Sequence, residues 1–328
     1  MPNVTLHAVL AGRVLDSWAH RPSEAPFDPG RARLRDAFYQ GAFGPDLGYF
    51  PGGNPFLSDL AHYVRSGDLV RALLRRAEGP VQSAFAWGWL THVLADQAIH
   101  PLVGEGVGEL LHGTRRFVGI SENATAHVRV EVGLDMWYAS HHPDLSSLPC
   151  RPVFDRRSVR HLVGAYRETY ALEVDPDLFL SSHHAAVRMA RRALTTIGVL
   201  SLAVGAGNGF HGALGTRRIL RRALALVQEG LDRESMILAF LNPVPPADWL
   251  RGEVEAVVES FPERFRRWCP DGVSRLPDYN LDTGRVEEGG VSTPCGAGAV
   301  RILDDLGAAG FPAPEEGRRP VRYPGCPR

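Results

Sequence analysis

The chain has 328 residues, enough to bury a sizeable core, and its 44% apolar and 22% charged content is ordinary for a globular protein. A net charge of −1 removes the electrostatic basis for non-specific nucleic-acid binding; all 36 basic residues are arginine. The four cysteines, Cys150, Cys269, Cys295 and Cys326, form no C-x-x-C pair, which excludes a zinc ribbon and a dense disulfide framework.

Most of the first 270 residues carry helical periodicity. Val9, Leu10, Val14 and Trp18 fit one stripe of a first helix that also bears His7. Residues 31–43 suit a second helix, ended by the turn signal Gly44-Pro45-Asp46. Phe56, Leu57, Leu60 and Val64 mark a third, carrying His62, and Asp68 is read as the cap of a short fourth. Residues 81–99 form a long helix between Pro80 and Pro101, apolar nearly all round and therefore expected at the centre. Residues 103–121, rich in glycine, read as a loop with a short helix. Further helices are predicted over 124–140, 156–172, 182–204, 216–229 and 249–268. From Cys269 the composition shifts to Gly, Pro, Asp and Thr, predicting an irregular or partly disordered tail. The expected architecture is thus all-α: a single multi-helix domain over 1–270, then a C-terminal tail over 271–328. No stretch approaches the roughly 20 apolar residues of a membrane span; the best, 197–204, is far shorter. The first seven residues lack a basic n-region and a long apolar run, so the expected location is cytoplasmic.

The chemistry-bearing feature is a run of metal-type ligands at helical spacing: His92, Asp96 and His100 at four-residue intervals, then His127 and Glu131. Residues four apart share a helix face, so each pair projects an imidazole and a carboxylate together, a donor set that zinc accepts. Two neighbouring ions can hold a bridging hydroxide and polarise a phosphoryl oxygen, the usual equipment for cleaving phosphate esters. About three protein ligands per ion are required, and the available residues are His7, Asp46, His62, His92, Asp96, His100, His127 and Glu131. The competing explanation is structural: a lone buried histidine, or one H-x-x-x-D in a helix, is more often a satisfied core group. Both pairs on apolar helices are harder to account for that way.

These residues, with the segments Gly44-Pro45-Asp46, Thr91-His92, Asp96, His100-Pro101 and His127 to Glu131 in this order, resemble the zinc-dependent phospholipase C family. That family shares its helical fold with the S1/P1 nucleases, and the motif looks most like its bacterial intracellular branch. The resemblance covers residues 1–140. It implies one zinc held by Asp46, His62, His92 and Asp96, a second by His100, His127 and Glu131, and a third bridged by Asp96 to His7. Asp46 would be the catalytic base. Two or three Zn2+ ions are expected, with other divalent metals possible. The chain departs from the secreted members, which complete the third site with an N-terminal Trp where this chain has Met1-Pro2. The interval from His100 to His127 is longer, so that His112 competes with His100 as a ligand. The sequence up to residue 328 carries no pattern that predicts the calcium-dependent lipid-binding β-domain of the toxin members.

The expected function is a zinc-dependent phosphoric ester hydrolase with phospholipase C-like chemistry, metal-bound hydroxide attacking phosphorus of a small-molecule or lipid phosphoester. The alternatives are a nuclease or nucleotidase, for which Phe43, Tyr49, Phe50 and Trp137 would be candidate stacking platforms, a metal-dependent lyase or cyclase, and a metal-stabilised scaffold without turnover. Weaker signals are Asp135, read either as a hydrogen-bond partner of a ligand histidine or as a helix-end polar residue, and the adjacent pairs His141-His142 and His183-His184, read as surface or substrate-pocket groups. Gly205 to Gly209 is read as a helix terminator and flexible loop, and the arginines at 217, 218, 221 and 222 as a solvated helix face.

Overall fold

Nine helices are laid out in the computed structural model, which describes residues 4–50, 52–142, 151–204 and 242–286. They are α1 (Val4–His20), α2 (Ala32–Gly41), α3 (Pro55–Tyr63), α4 (Ser66–Arg75), α5 (Pro80–His112), α6 (Ala124–His141), α7 (Arg160–Tyr170), α8 (Pro176–Val204) and α9 (Asp248–Arg266). No strand occurs among the described residues; a lone antiparallel bridge joins Tyr279 to Val286. No helix among them is long and apolar enough to cross a membrane.

The all-round apolar character of α5 places it at the centre, packed by α1, α2, α4, α6 and α9. The closest crossing is with α2. A Cβ on Gly88 would lie 2.0 Å from the Phe38 carbonyl oxygen, and one on Gly41 equally close to that of Phe85. Two facing glycines therefore let the backbones touch, and Phe38, Phe85 and Trp89 fill the core around them.

Several predicted boundaries shift. Proline does not stop α5: the helix passes through Pro101 and runs 33 residues, ending at His112 before a left-handed Gly113 (φ 69°). A proline in a helix interior removes the N–H that would bond the carbonyl four residues back, here Gln97. Packing on both sides of the break outweighs that loss. Gly104, Gly106 and Gly108 of the predicted loop lie on this helix, and the Gly104 carbonyl accepts from the Val118 amide at 3.0 Å. Asp68 is not a cap but a first-turn residue of α4; Arg65, in a left-handed conformation (φ 50°), precedes the helix. The expected helices over 156–172 and 182–204 begin at Arg160 and Pro176. The predicted helix at 216–229, the Gly205–Gly209 loop and the arginines at 217–222 lie outside the described residues. Cys269 is described as a free thiol.

Beyond α9, residues 271–275 make a 3-10 turn and the chain then packs back on the helices, burying Leu276, Asn280, Leu281 and Asp282.

Candidate metal centre

Five elements deliver the candidate ligands. α1 brings His7; the 3-10 turn Pro45–Tyr49 brings Asp46; α3 brings His62; α5 brings His92, Asp96 and His100; α6 brings His127 and Glu131. Capping fixes where two of these helices start. Asn54 accepts from the Phe56 amide ahead of α3, and Asn123 accepts from the Ala126 amide ahead of α6.

All eight predicted residues come together, with the Asp96 carboxylate at the middle. Its Oδ1 lies 3.1 Å from His7 Nε2 and 3.4 Å from His100 Nε2; its Oδ2 lies 2.9 Å from His92 Nε2 and 3.5 Å from His62 Nε2. Asp46 Oδ1 stands 3.4 Å from His62 Nε2. On the far side of His100, Glu131 Oε1 is 3.2 Å from both His100 Nε2 and His127 Nε2. His100 thus links the two groups. It is also the most exposed member, its side chain 13% accessible while the others are buried.

Ring orientation is set from behind. His62 Nδ1 donates to the Ser58 carbonyl at 2.7 Å and His92 Nδ1 to the Ala42 carbonyl at 2.9 Å, which turns both Nε2 atoms inward, 3.3 Å apart. In neutral rings these are two lone pairs facing each other, an arrangement that a proton or a cation must relieve. His7 stacks on His92 with centroids 4.1 Å apart.

The charges respond accordingly. Burial pushes the Asp96 carboxyl up, but the imidazoles of His100, His92 and His7 outweigh it and hold it well below the usual carboxylate range; Asp46 is also held low, with His92 and His62 among the causes. Glu131 is likewise drawn down to about 2, burial being overcome by His127 and His100. Burial lowers His100, yet Asp96 and Glu131 raise it to about 10; His92 is raised by Asp96 and Asp46 against the same burial. His7 goes the other way, lowered by burial and by neighbouring His92. Protons on histidines therefore balance the buried carboxylates, and a divalent cation would take over that role by displacing them.

The residues fit such an ion. His7 Nδ1 and His127 Nδ1 are buried and make no hydrogen bond, which is costly unless another partner is supplied. Three sets hold ligand atoms within 4.8 Å of one another: His7, His92 and Asp96; Asp46, His62 and His92; and His100, His127 and Asp282. A family model described as zinc-dependent phospholipase C matches residues 6–183, more than half of the chain. The chain belongs to the zinc-dependent phospholipase C family. The matched span contains every one of the eight predicted residues. The comparison with curated proteins gives no match, and the comparison with solved structures gives none either. That family is one of zinc-dependent hydrolases, and the buried imidazoles and carboxylates of this chain are the donor types zinc takes.

Other candidates resolve differently. His112 is exposed at the far end of α5, about three turns beyond His100, and joins no cluster of possible ligands among the described residues. Asp135 does not meet a ligand histidine. It accepts from the Leu6 amide at 3.0 Å, so it satisfies a free N–H in the first turn of α1 and positions the backbone next to His7. Burial pushes its carboxyl up to about 7. His183 is neither on the surface nor in a pocket for substrate: it is buried against Phe85 and Phe154. His141 is exposed. Asp282 was missed. It lies 151 positions past Glu131 in a segment without periodicity, so no spacing signal points to it.

Proposed function

We propose that this chain hydrolyses phosphoric esters of phospholipid type, with zinc held by His7, Asp46, His62, His92, Asp96, His100, His127 and Glu131. The observation that carries the reading is the Asp96 carboxylate with four imidazole Nε2 atoms within 3.5 Å. A structural core histidine needs one partner, not a shared carboxylate among four rings. Zinc, when bound, supplies an activated water and a positive centre for phosphoryl oxygens.

The chain's own residues do the rest. Asp46 is short, rigidly placed in its 3-10 turn and kept ionised beside His62. A carboxylate oxygen of Asp46 accepts the proton that water loses as it adds in line to phosphorus, and the alcohol oxygen departs on the opposite side. Asp96 and Glu131 balance the charge that His7, His62, His92, His100 and His127 do not. The backbone carbonyls of Ser58 and Ala42 keep two rings in the required tautomer. His100, the most accessible member, marks the side from which a substrate phosphate reaches the cluster. The cytoplasmic location expected from the sequence belongs to this proposal.

A nuclease would place aromatic faces beside the cluster. Phe43 and Phe50 are buried in the core and Trp137 packs against Tyr138 and His141; the Tyr49 ring alone of the four lies beside a ligand, 5.5 Å from His62, with its hydroxyl tied to Asp59, so the phospholipid-type reading rests on the family match.

Two variants test it. Asp46→Asn should retain bound zinc and lose most turnover, a fall of about 100-fold or more if Asp46 is the base. His92→Ala should lose zinc and activity together. Zinc content and rate are measured on phosphodiester, phosphomonoester and nucleotide substrates. Equal loss of zinc in both variants would make Asp46 primarily a ligand and remove the basis for its role as base. Undiminished turnover in both would end the hydrolase reading.

A further inference from the structure

We infer that Asp282 is a metal ligand of this cluster, carried to His100, His127 and Glu131 by a strap, residues 276–286, that lies beyond the matched span. The inference rests on the zinc reading above and adds a residue to it.

Proximity is the first argument. One carboxylate oxygen of Asp282 and one nitrogen each of His100 and His127 lie within 4.8 Å of one another, and Glu131 Oε1 is 3.2 Å from both rings. Two imidazoles and two carboxylates make a four-ligand shell whose charge a divalent cation neutralises. The second argument is an unmet need. His127 is fully buried; its Nε2 faces Glu131 Oε1 at 3.2 Å, and its Nδ1 makes no hydrogen bond. An ion shared with Asp282 supplies a partner where protein atoms do not.

The third argument is how firmly the strap is held. Ser66 and Tyr279 exchange two hydrogen bonds, the Ser66 hydroxyl donating to the Tyr279 carbonyl at 2.9 Å and accepting from its amide at 2.8 Å. The Asp68 amide donates to the Asp278 carboxylate at 3.0 Å, and Arg71 donates to the Leu276 carbonyl. The Leu281 amide donates to the carbonyl of His62 itself at 3.0 Å. The Asn280 side chain accepts from the amides of Asp282 and Thr283, closing a turn that sets the Asp282 side chain. Both Asp282 oxygens accept from the Ile120 amide, at 3.2 and 3.3 Å, which orients the carboxylate and leaves it lone pairs to spare.

The strap lands where α5 is interrupted. Pro101 leaves the Gln97 carbonyl without its helical donor, and Gly284, at φ 68°, lies against it. A Cβ at Gly284 would be 2.3 Å from that oxygen and 2.8 Å from the Pro101 ring. Gln97 in turn donates from its side chain to the Gly284 carbonyl at 3.3 Å. The proline that looked like a helix stop is therefore part of the seat for the strap, one residue beyond His100.

The experiment uses the full chain, stripped with a chelator and reloaded with zinc alone. Stoichiometry comes from elemental analysis and affinity from competition with a chromophoric chelator. Asp282→Asn keeps the shape and can still accept from Ile120. It should weaken one zinc by at least about tenfold and leave the others as in the parent chain, with unchanged circular dichroism. Identical stoichiometry and affinity in the two proteins would overturn the assignment while leaving the zinc reading standing. A parent chain that takes up no zinc would overturn both. If Asp282→Asn does not fold, hydrogen exchange on the parent chain decides: zinc should slow exchange at the Leu281 and Gly284 amides, and equal rates with and without zinc would refute the inference.

Discussion

Buried histidines fall into two kinds here, and the difference lies in what their nitrogens face. In the cluster the Nε2 atoms face carboxylates; the rings of His161 and His183 pack against Phe85 and Phe154, and His161 Nδ1 donates to the Ser158 carbonyl at 2.9 Å. Burial lowers this second pair, to about 4 for His161 and about 3 for His183. The unfolded chain binds protons at an ordinary 6.5 while the folded chain refuses them. Stability is therefore complete above pH 6.5 and falls with pH below it, by about 1.4 kcal/mol per unit for each histidine, down to the folded values. Denaturant titrations between pH 7.5 and 5 should show a shallower fall for His183→Phe than for the parent chain; equal slopes would contradict the assignment. The sequence separated these two kinds only in part. His92, Asp96, His127 and Glu131 were legible because four-residue spacing forces them onto shared faces. His183 was misread because its neighbours come from other elements, and Asp282 was invisible for the same reason.

At the scale of elements, α5 shows why local signals under-predict length. Pro101 disrupts one hydrogen bond, but the apolar face on either side continues through Val103 and Val107, both fully buried. Burial of two such side chains is worth about 3 kcal/mol or more, comparable to the cost of an interior proline. Glycine richness over 103–121 suggested a loop, yet Gly104 and Gly108 are small so that the chain at Arg116–Val118 can lie against the helix. Helix existence was legible from periodicity; its end was not, because tertiary packing decided it. The crossing of α2 and α5 yields a direct prediction. Gly88→Ala puts a methyl into backbone with no flexible neighbour to yield, so it should destabilise the fold by about 1–3 kcal/mol, read as a lower denaturation midpoint at unchanged slope. Asn123→Ala, by contrast, removes only a cap and should cost about 1 kcal/mol.

For the molecule as a whole, a central apolar helix carries three of the candidate ligands and its neighbours close over them, so packing and site formation are one event. Carboxylates and imidazoles buried together are a liability unless a cation compensates them, and an ion that binds only the folded state stabilises it by mass action. Chelation should accordingly lower the melting temperature by several degrees, and zinc should restore it. The central claim is that the buried histidines and carboxylates form a multinuclear zinc centre. The most direct measurement is anomalous scattering at the zinc edge from crystals of the zinc-loaded chain. The account predicts at least two peaks, one between His62, His92 and Asp96 and another between His100, His127 and Glu131. A map without a peak at either position, from protein shown to be folded and zinc-saturated, would contradict it.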